Sequence, residues 1–237
     1  MHMLWQAIVL IPLHDSNPLR VVAFQAVTFS IILLCTLVFL YQQVASEQQA
    51  AELIYAFGML PAVLFEHRHL DAELAVLPAE FTLVTSIFLH SGWMHLIGNM
   101  AFLWVFGDNV EDSMGHLRFL VFFLICGLFA SLAHALVDTE SINPLVGASG
   151  AIAGVLGAYL MLHPRVKVIV LVGMRVPLRL RAYWVIGFWV ALQVFFVATN
   201  TGGNTAWWAH IGGFITGVIL IPFLKLPAIP LFDRSPK

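Results

Sequence analysis

The chain has 237 residues, 60% of them hydrophobic and only 10% charged, with a net charge of −2 and a mean hydropathy of +0.91. A water-soluble domain is nearer half apolar and a quarter charged, so this composition excludes an ordinary soluble enzyme and points to an integral membrane protein. Two cysteines, Cys35 and Cys126, lie inside apolar runs and read as small buried hydrophobes, not as a disulfide.

Residues 1–20 are mixed and marked by Ile11-Pro12 and Asn17-Pro18; the apolar part, 4–13, is too short to span and lacks a basic flank. A cytoplasmic arm is expected there, and no signal peptide. Residues 21–41 carry no charge over the ~20 residues that a spanning helix needs. A long outer loop, 42–91, follows, with Glu47, Glu52, Glu66, Asp71, Glu73 and Glu80 breaking its apolar patches. Further spanning helices are predicted over about 92–107, 117–137, 147–162, 183–199 and 206–224, leaving a short cytoplasmic tail at 225–237. The expected fold is an all-α, six-transmembrane-helix bundle over 21–224.

The basic residues set the orientation. With the N-terminus inside, ten of the eleven Lys and Arg residues face the cytoplasm and Arg68 alone lies outside. Five of them, Arg165, Lys167, Arg175, Arg179 and Arg181, crowd one short loop, where the positive-inside rule counts most. Both termini are expected in the cytoplasm.

Orientation turns residue counts into depth. Ser149 lies 14 residues above His163, His210 15 above Lys225 and His95 13 above Asp108. At 1.5 Å per residue each reaches roughly 20–22 Å up a ~30 Å core, about 9 Å below the outer surface. Asn99, one turn below His95, leans toward the same level. Polar groups at that depth are costly unless they pair or line a wet cavity. Gly147, Gly150, Gly154 and Gly157 give the Ser149 helix a small face, and His210, Gly213 and Gly217 form one stripe on the last helix. Two such faces can approach closely enough for an imidazole to reach a serine hydroxyl.

That arrangement permits nucleophilic chemistry. His210 is the candidate base for Ser149. The Asn99 amide, the His95 ring and the Ser149 backbone N–H at a helix N-terminus could hold an oxyanion. No Asp or Glu occurs within a helix at that level, so a Ser-His dyad is expected. His90 sits five residues from His95, about 140° around a helix, so the two form no i,i+4 metal pair, and no HExxH glutamate accompanies them. His90 is read as a loop-ordering hydrogen-bonder, and neither a metal nor a cofactor is expected. His134 is read as a packing residue, and Glu111 as an acceptor for amides of the 108–118 loop. Trp207 and Trp208 fit an interfacial belt.

These residues resemble the rhomboid intramembrane serine proteases. The likeness rests on Phe88-Leu89-His90 with His95-Leu96 and Asn99-Met100, on Gly147-Ala148-Ser149-Gly150, and on Ala209-His210 with Gly213 and Gly217. Phe106-Gly107 with Glu111 and the proline-marked arm also fit, so the resemblance runs from about residue 11 to 224. It implies Ser149 as nucleophile, His210 as base, and His95, Asn99 and the Ser149 amide as oxyanion hole. It implies single-span membrane proteins as substrates, cut in or near the transmembrane segment after a small residue. A protein working as a monomer in a bacterial inner membrane is expected, with no nucleic-acid partner. A catalytically silent, client-binding relative is the alternative, and it predicts loss of Ser149 or His210. Two positions depart from the family pattern: Phe81-Thr82 stands where many members have Trp-Arg, and Ala153 where some place an aromatic under the histidine. The group that orients His210 must then come from elsewhere.

Overall fold

The chain enters its first helix over a pair of carboxylates. In the computed structural model, which describes residues 10–173, 175–199, 201 and 206–233, helix α1 (Ala26–Val44) starts with its Val27 and Thr28 amides donating to Glu111 at 2.9 and 2.8 Å. The first four N–H groups of a helix have no partner within it, and a carboxylate also suits the positive end of the helix dipole. The approach to α1 is held likewise, with Arg20, Val21 and Val22 amides donating to Asp112 at 2.7–2.9 Å. Both acids stand on the helix that the sequence predicts to stop near residue 107.

Between α1 and that helix lie α2 (Glu47–Phe57), opened by a Ser46–Gln49 capping box, and short helical turns at 61–64 and 79–88. Helix α3 (Trp93–Met114) then runs two turns beyond the predicted end. Asp108, Glu111 and Asp112 look like an interface in sequence, yet the amides of the incoming chain satisfy two of them inside the fold. The amides that Glu111 accepts are therefore those of α1 and not of the 108–118 loop, and within that loop its partner is the His116 ring at 2.5 Å. After Gly115, α4 (His116–Ala135) returns, and the shorter α5 (Ser149–Leu162) with α6 (Ala182–Thr199) and α7 (Trp207–Leu224) completes the bundle. Four of these, α1, α4, α6 and α7, are long and apolar enough to cross a membrane.

The all-α expectation needs correction. Strands β1 (Leu10–Asp15), β2 (Lys167–Val172) and β3 (Val176–Arg181) form an antiparallel sheet in that order. The run Lys167-Val-Ile-Val-Leu-Val is rich in β-branched residues, and Val168 and Val170 alternate into the core, as a half-buried strand requires. Arg181, Leu180 and Arg179 pair with Lys167, Val168 and Ile169, so the basic residues read as a loop alternate along a hairpin. β1 joins from far away in sequence, with a register irregularity between Pro12 and His14. Part of the expected arm (1–9), Met174 and the end of the tail (234–237) lie outside the described residues.

The core follows the small faces. α5 is buried along most of its length and lies against α7 and α4. A Cβ at Gly213 would drive into the Gly150 carbonyl, and one at Gly217 into the Gly154 carbonyl, so both glycines are needed for the backbones to touch. Toward the sheet end the void between helices is filled by large rings, Phe106 against Tyr159 at 4.8 Å and the run Phe119, Phe122 and Phe123, all fully buried.

Candidate active site

Close backbone contact between α5 and α7 sets Ser149 beside His210. Ser149 is the first residue of α5, so its amide is one of the four without an intrahelical acceptor, and its side chain is half-buried. His210 lies in the first turn of α7, 9% exposed, with Nε2 at 2.8 Å from Ser149 Oγ. That separation is within hydrogen-bond reach for a nucleophile and its base.

Gly147 shapes the approach to the serine. Its φ of +121° lies in the region that favours glycine, and a Cβ there would stand 2.6–2.7 Å from His95 Cε1 and Nε2. The same Cβ would be 3.6 Å from Asn99 Nδ2, so His95 and Asn99 face the loop that delivers Ser149. Asn99 is buried, and its Nδ2 has no hydrogen-bond partner. The His95 ring can be assigned a tautomer: the Ser91 backbone N–H, which can only donate, points at Nδ1 at 3.5 Å, and Ser91 Oγ lies 3.0 Å from the same nitrogen. With Nδ1 accepting, the neutral ring carries its proton on Nε2, which faces Gly147. Two spare donors, Asn99 Nδ2 and His95 Nε2–H, thus converge on the N-terminus of α5.

The outer segment holds this loop in place. Gly147 N–H donates to Ser86 at 2.9 Å, Met59 and Leu145 exchange both main-chain bonds, and Ala62 N–H donates to Ser141 at 2.9 Å. His90 orders its loop through its main chain and not its ring: its amide donates to Gln42 Oε1 at 3.2 Å and its carbonyl accepts from Gln42 Nε2 at 3.3 Å. The His90 ring packs edge-on to His95 at 5.2 Å. Gly150, Gly213 and Gly217 act as contact surface between helices, as above. Among the described residues no group of three or more His, Cys, Asp or Glu side chains is placed to hold a metal.

The group that sequence reading could not supply for His210 comes from α6. Gln193 Oε1 lies 2.7 Å from His210 Nδ1, and the Trp189 ring stacks obliquely at 5.5 Å. Trp207 adds an edge contact at 6.0 Å while stacking on Phe196, so it packs inside the helix pair as well as marking the end of α7. Ala153, fully buried on α5, brings no ring to the imidazole, and α6 provides the support.

Comparison with known proteins settles the family. The rhomboid domain profile matches residues 78–226, well over half of the chain. The chain belongs to the rhomboid family. It is 34% identical over 149 residues to the mitochondrial RHOMBOID-like protein 6 of Arabidopsis thaliana, covering 60% of this chain and 42% of that protein. It is 32% identical over 151 residues to the mitochondrial Rhomboid protein 1 of Saccharomyces cerevisiae, covering 60% and 41%. The rhomboid protease GluP of Bacillus subtilis is 32% identical over 154 residues, covering 64% and 27%. The chain therefore spans about two fifths or less of the length of these relatives. Together with its apolar helices, this makes the rhomboid chain an integral membrane protein.

Proposed function

We propose that this rhomboid chain is an intramembrane serine endopeptidase that cuts single-span membrane proteins in or near their transmembrane segment. The observation that carries the reading is the 2.8 Å contact between Ser149 Oγ and His210 Nε2. Ser149 attacks the scissile carbonyl carbon while its proton passes to His210 Nε2. The tetrahedral oxyanion is held by the Ser149 amide, Asn99 Nδ2 and His95 Nε2–H. The proton then moves from His210 to the departing amine, and water hydrolyses the acyl-enzyme by the same base. No metal or cofactor takes part.

The six helices α1, α3, α4, α5, α6 and α7 form the membrane bundle, with both termini in the cytoplasm of a bacterial inner membrane and the monomer as the working unit. The short α5, 14 residues, fits a helix whose serine end stops inside the bilayer and opens to water from the far side. A substrate helix must unwind locally to present a carbonyl to Ser149. Unwinding is easiest near helix-breaking residues at the outer end of its span.

The test is incubation of the purified enzyme with a single-span substrate in liposomes, with products mapped by mass spectrometry. Cleavage near the outer end after a small residue, absent in Ser149→Ala, is expected. Cutting at the cytoplasmic end, or cutting by Ser149→Ala, would refute the reading.

A further inference from the structure

We infer that Gln193 is a positioning residue for His210, holding the imidazole in the one tautomer that can act as a base, so that the site is a Ser-His-Gln array built on three helices. The inference rests on the protease reading above and adds to it a third member that is an amide, where a search for carboxylates finds none.

A neutral imidazole carries one proton, and only an Nε2 without it can accept from Ser149. The choice is set at the other nitrogen. Gln193 could face His210 with its oxygen or its NH₂, and the backbone decides which: Gln193 Nε2 donates to the Trp189 carbonyl at 2.9 Å, an atom that can only accept. The oxygen is therefore turned to His210, at 2.7 Å from Nδ1. An amide oxygen is acceptor only, so Nδ1 must bear the proton and Nε2 is left bare toward Ser149 Oγ. The opposite tautomer would set two acceptors against each other at that distance. Both side chains are buried, Gln193 at 4% and His210 at 9% exposed. Elsewhere on the outer half of α6 most side chains face outward, so a buried glutamine there calls for a partner, and His210 is that partner.

During attack the Ser149 proton moves to Nε2 as the Oγ–carbon bond forms. The amide dipole at Nδ1–H then steadies the imidazolium, though less than a carboxylate would. Changing the orienting carboxylate of a Ser-His-Asp triad to an amide that presents the wrong tautomer costs ~10⁴-fold. For a neutral amide removed outright, a loss of about 10–10²-fold in kcat is expected, with KM unchanged, because nothing in Gln193 touches substrate.

The experiment joins kinetics to spectroscopy. Gln193→Leu and Gln193→Glu are assayed for kcat and KM, and ¹⁵N-histidine-labelled enzyme is examined by NMR, with His210→Ala assigning the signal. Protonated Nδ1 in the wild type, loss of that state and of kcat in Gln193→Leu, and recovery of both in Gln193→Glu are the expected results. A wild-type ring protonated on Nε2, an undiminished kcat in Gln193→Leu, or a change confined to KM would overturn the assignment. The tautomer is read without any turnover, so it stands even where Gln193→Leu fails to fold. A Ser149→Ala enzyme that still cleaves would instead refute the protease reading.

Discussion

Helix α3 carries polar side chains at both ends, and the two ends use them in opposite ways. Near Met114, Glu111 and Asp112 accept five main-chain amides from residues 20–28, and Glu111 also meets His116. Near Trp93, the Asn99 amide is buried with an N–H₂ group that meets no acceptor, and His95 turns a spare N–H toward Gly147. A buried donor without a partner costs free energy, on the order of 1–3 kcal/mol. At the Glu111 end the carboxylates are taken up by main-chain amides, while at the Trp93 end two donors are left idle. Under the proposed function, those idle donors are the ones that would hold an oxyanion when substrate arrives.

The comparison is broken most severely at the serine. Ser149→Ala and His210→Ala should each reduce turnover on the order of 10⁴–10⁶-fold, and the double variant should be scarcely slower than either single one, because both groups act in one step. Additive losses in a steady-state assay would mean that the two do not work together. At the opposite end, Glu111→Ala should lower the free energy of unfolding by about 2–5 kcal/mol, since the Val27 and Thr28 amides lose their acceptor inside the fold. Denaturant unfolding in micelles measures this, and the protein that remains folded should keep its kcat.

Asn99→Ala should behave as the mirror image. It should cost kcat ~10²–10³-fold, the usual loss for one oxyanion donor, with no fall in stability because its Nδ2 has no bond to lose. A large stability loss with normal kcat would place Asn99 with Glu111, as structure. The smallest effect is expected at the sheet: Arg179→Ala removes only an exposed bond to Ser16 at 2.9 Å. It should shift stability by no more than about 0.5 kcal/mol and leave cleavage untouched.

The legible parts of the sequence are those with local periodicity. Ser149, His210, Gly213 and Gly217 could be placed together because helix geometry fixes depth and face, and the structure sets them side by side. The end of α3 is not legible at residue 107, as the helix runs on to Met114. Glu111 and Asp112 are satisfied by amides 83–92 residues earlier, a pairing that no local pattern reveals. The sheet was illegible for a related reason. β1 carries Pro12 beside a register irregularity and finds its partner over 150 residues away, and the basic residues of β2 and β3 mask their alternation. Gln193 escaped notice because a single amide in an apolar helix resembles a tolerated polar residue until the fold brings His210 to it.

The central claim is that Ser149 is a nucleophile activated by His210. The direct measurement is labelling of the purified protein in detergent with a fluorophosphonate probe, followed by peptide mass spectrometry. The account predicts a covalent adduct on Ser149, absent from Ser149→Ala and strongly reduced in His210→Ala. An unlabelled wild type, or equal labelling of the His210→Ala protein, would contradict it.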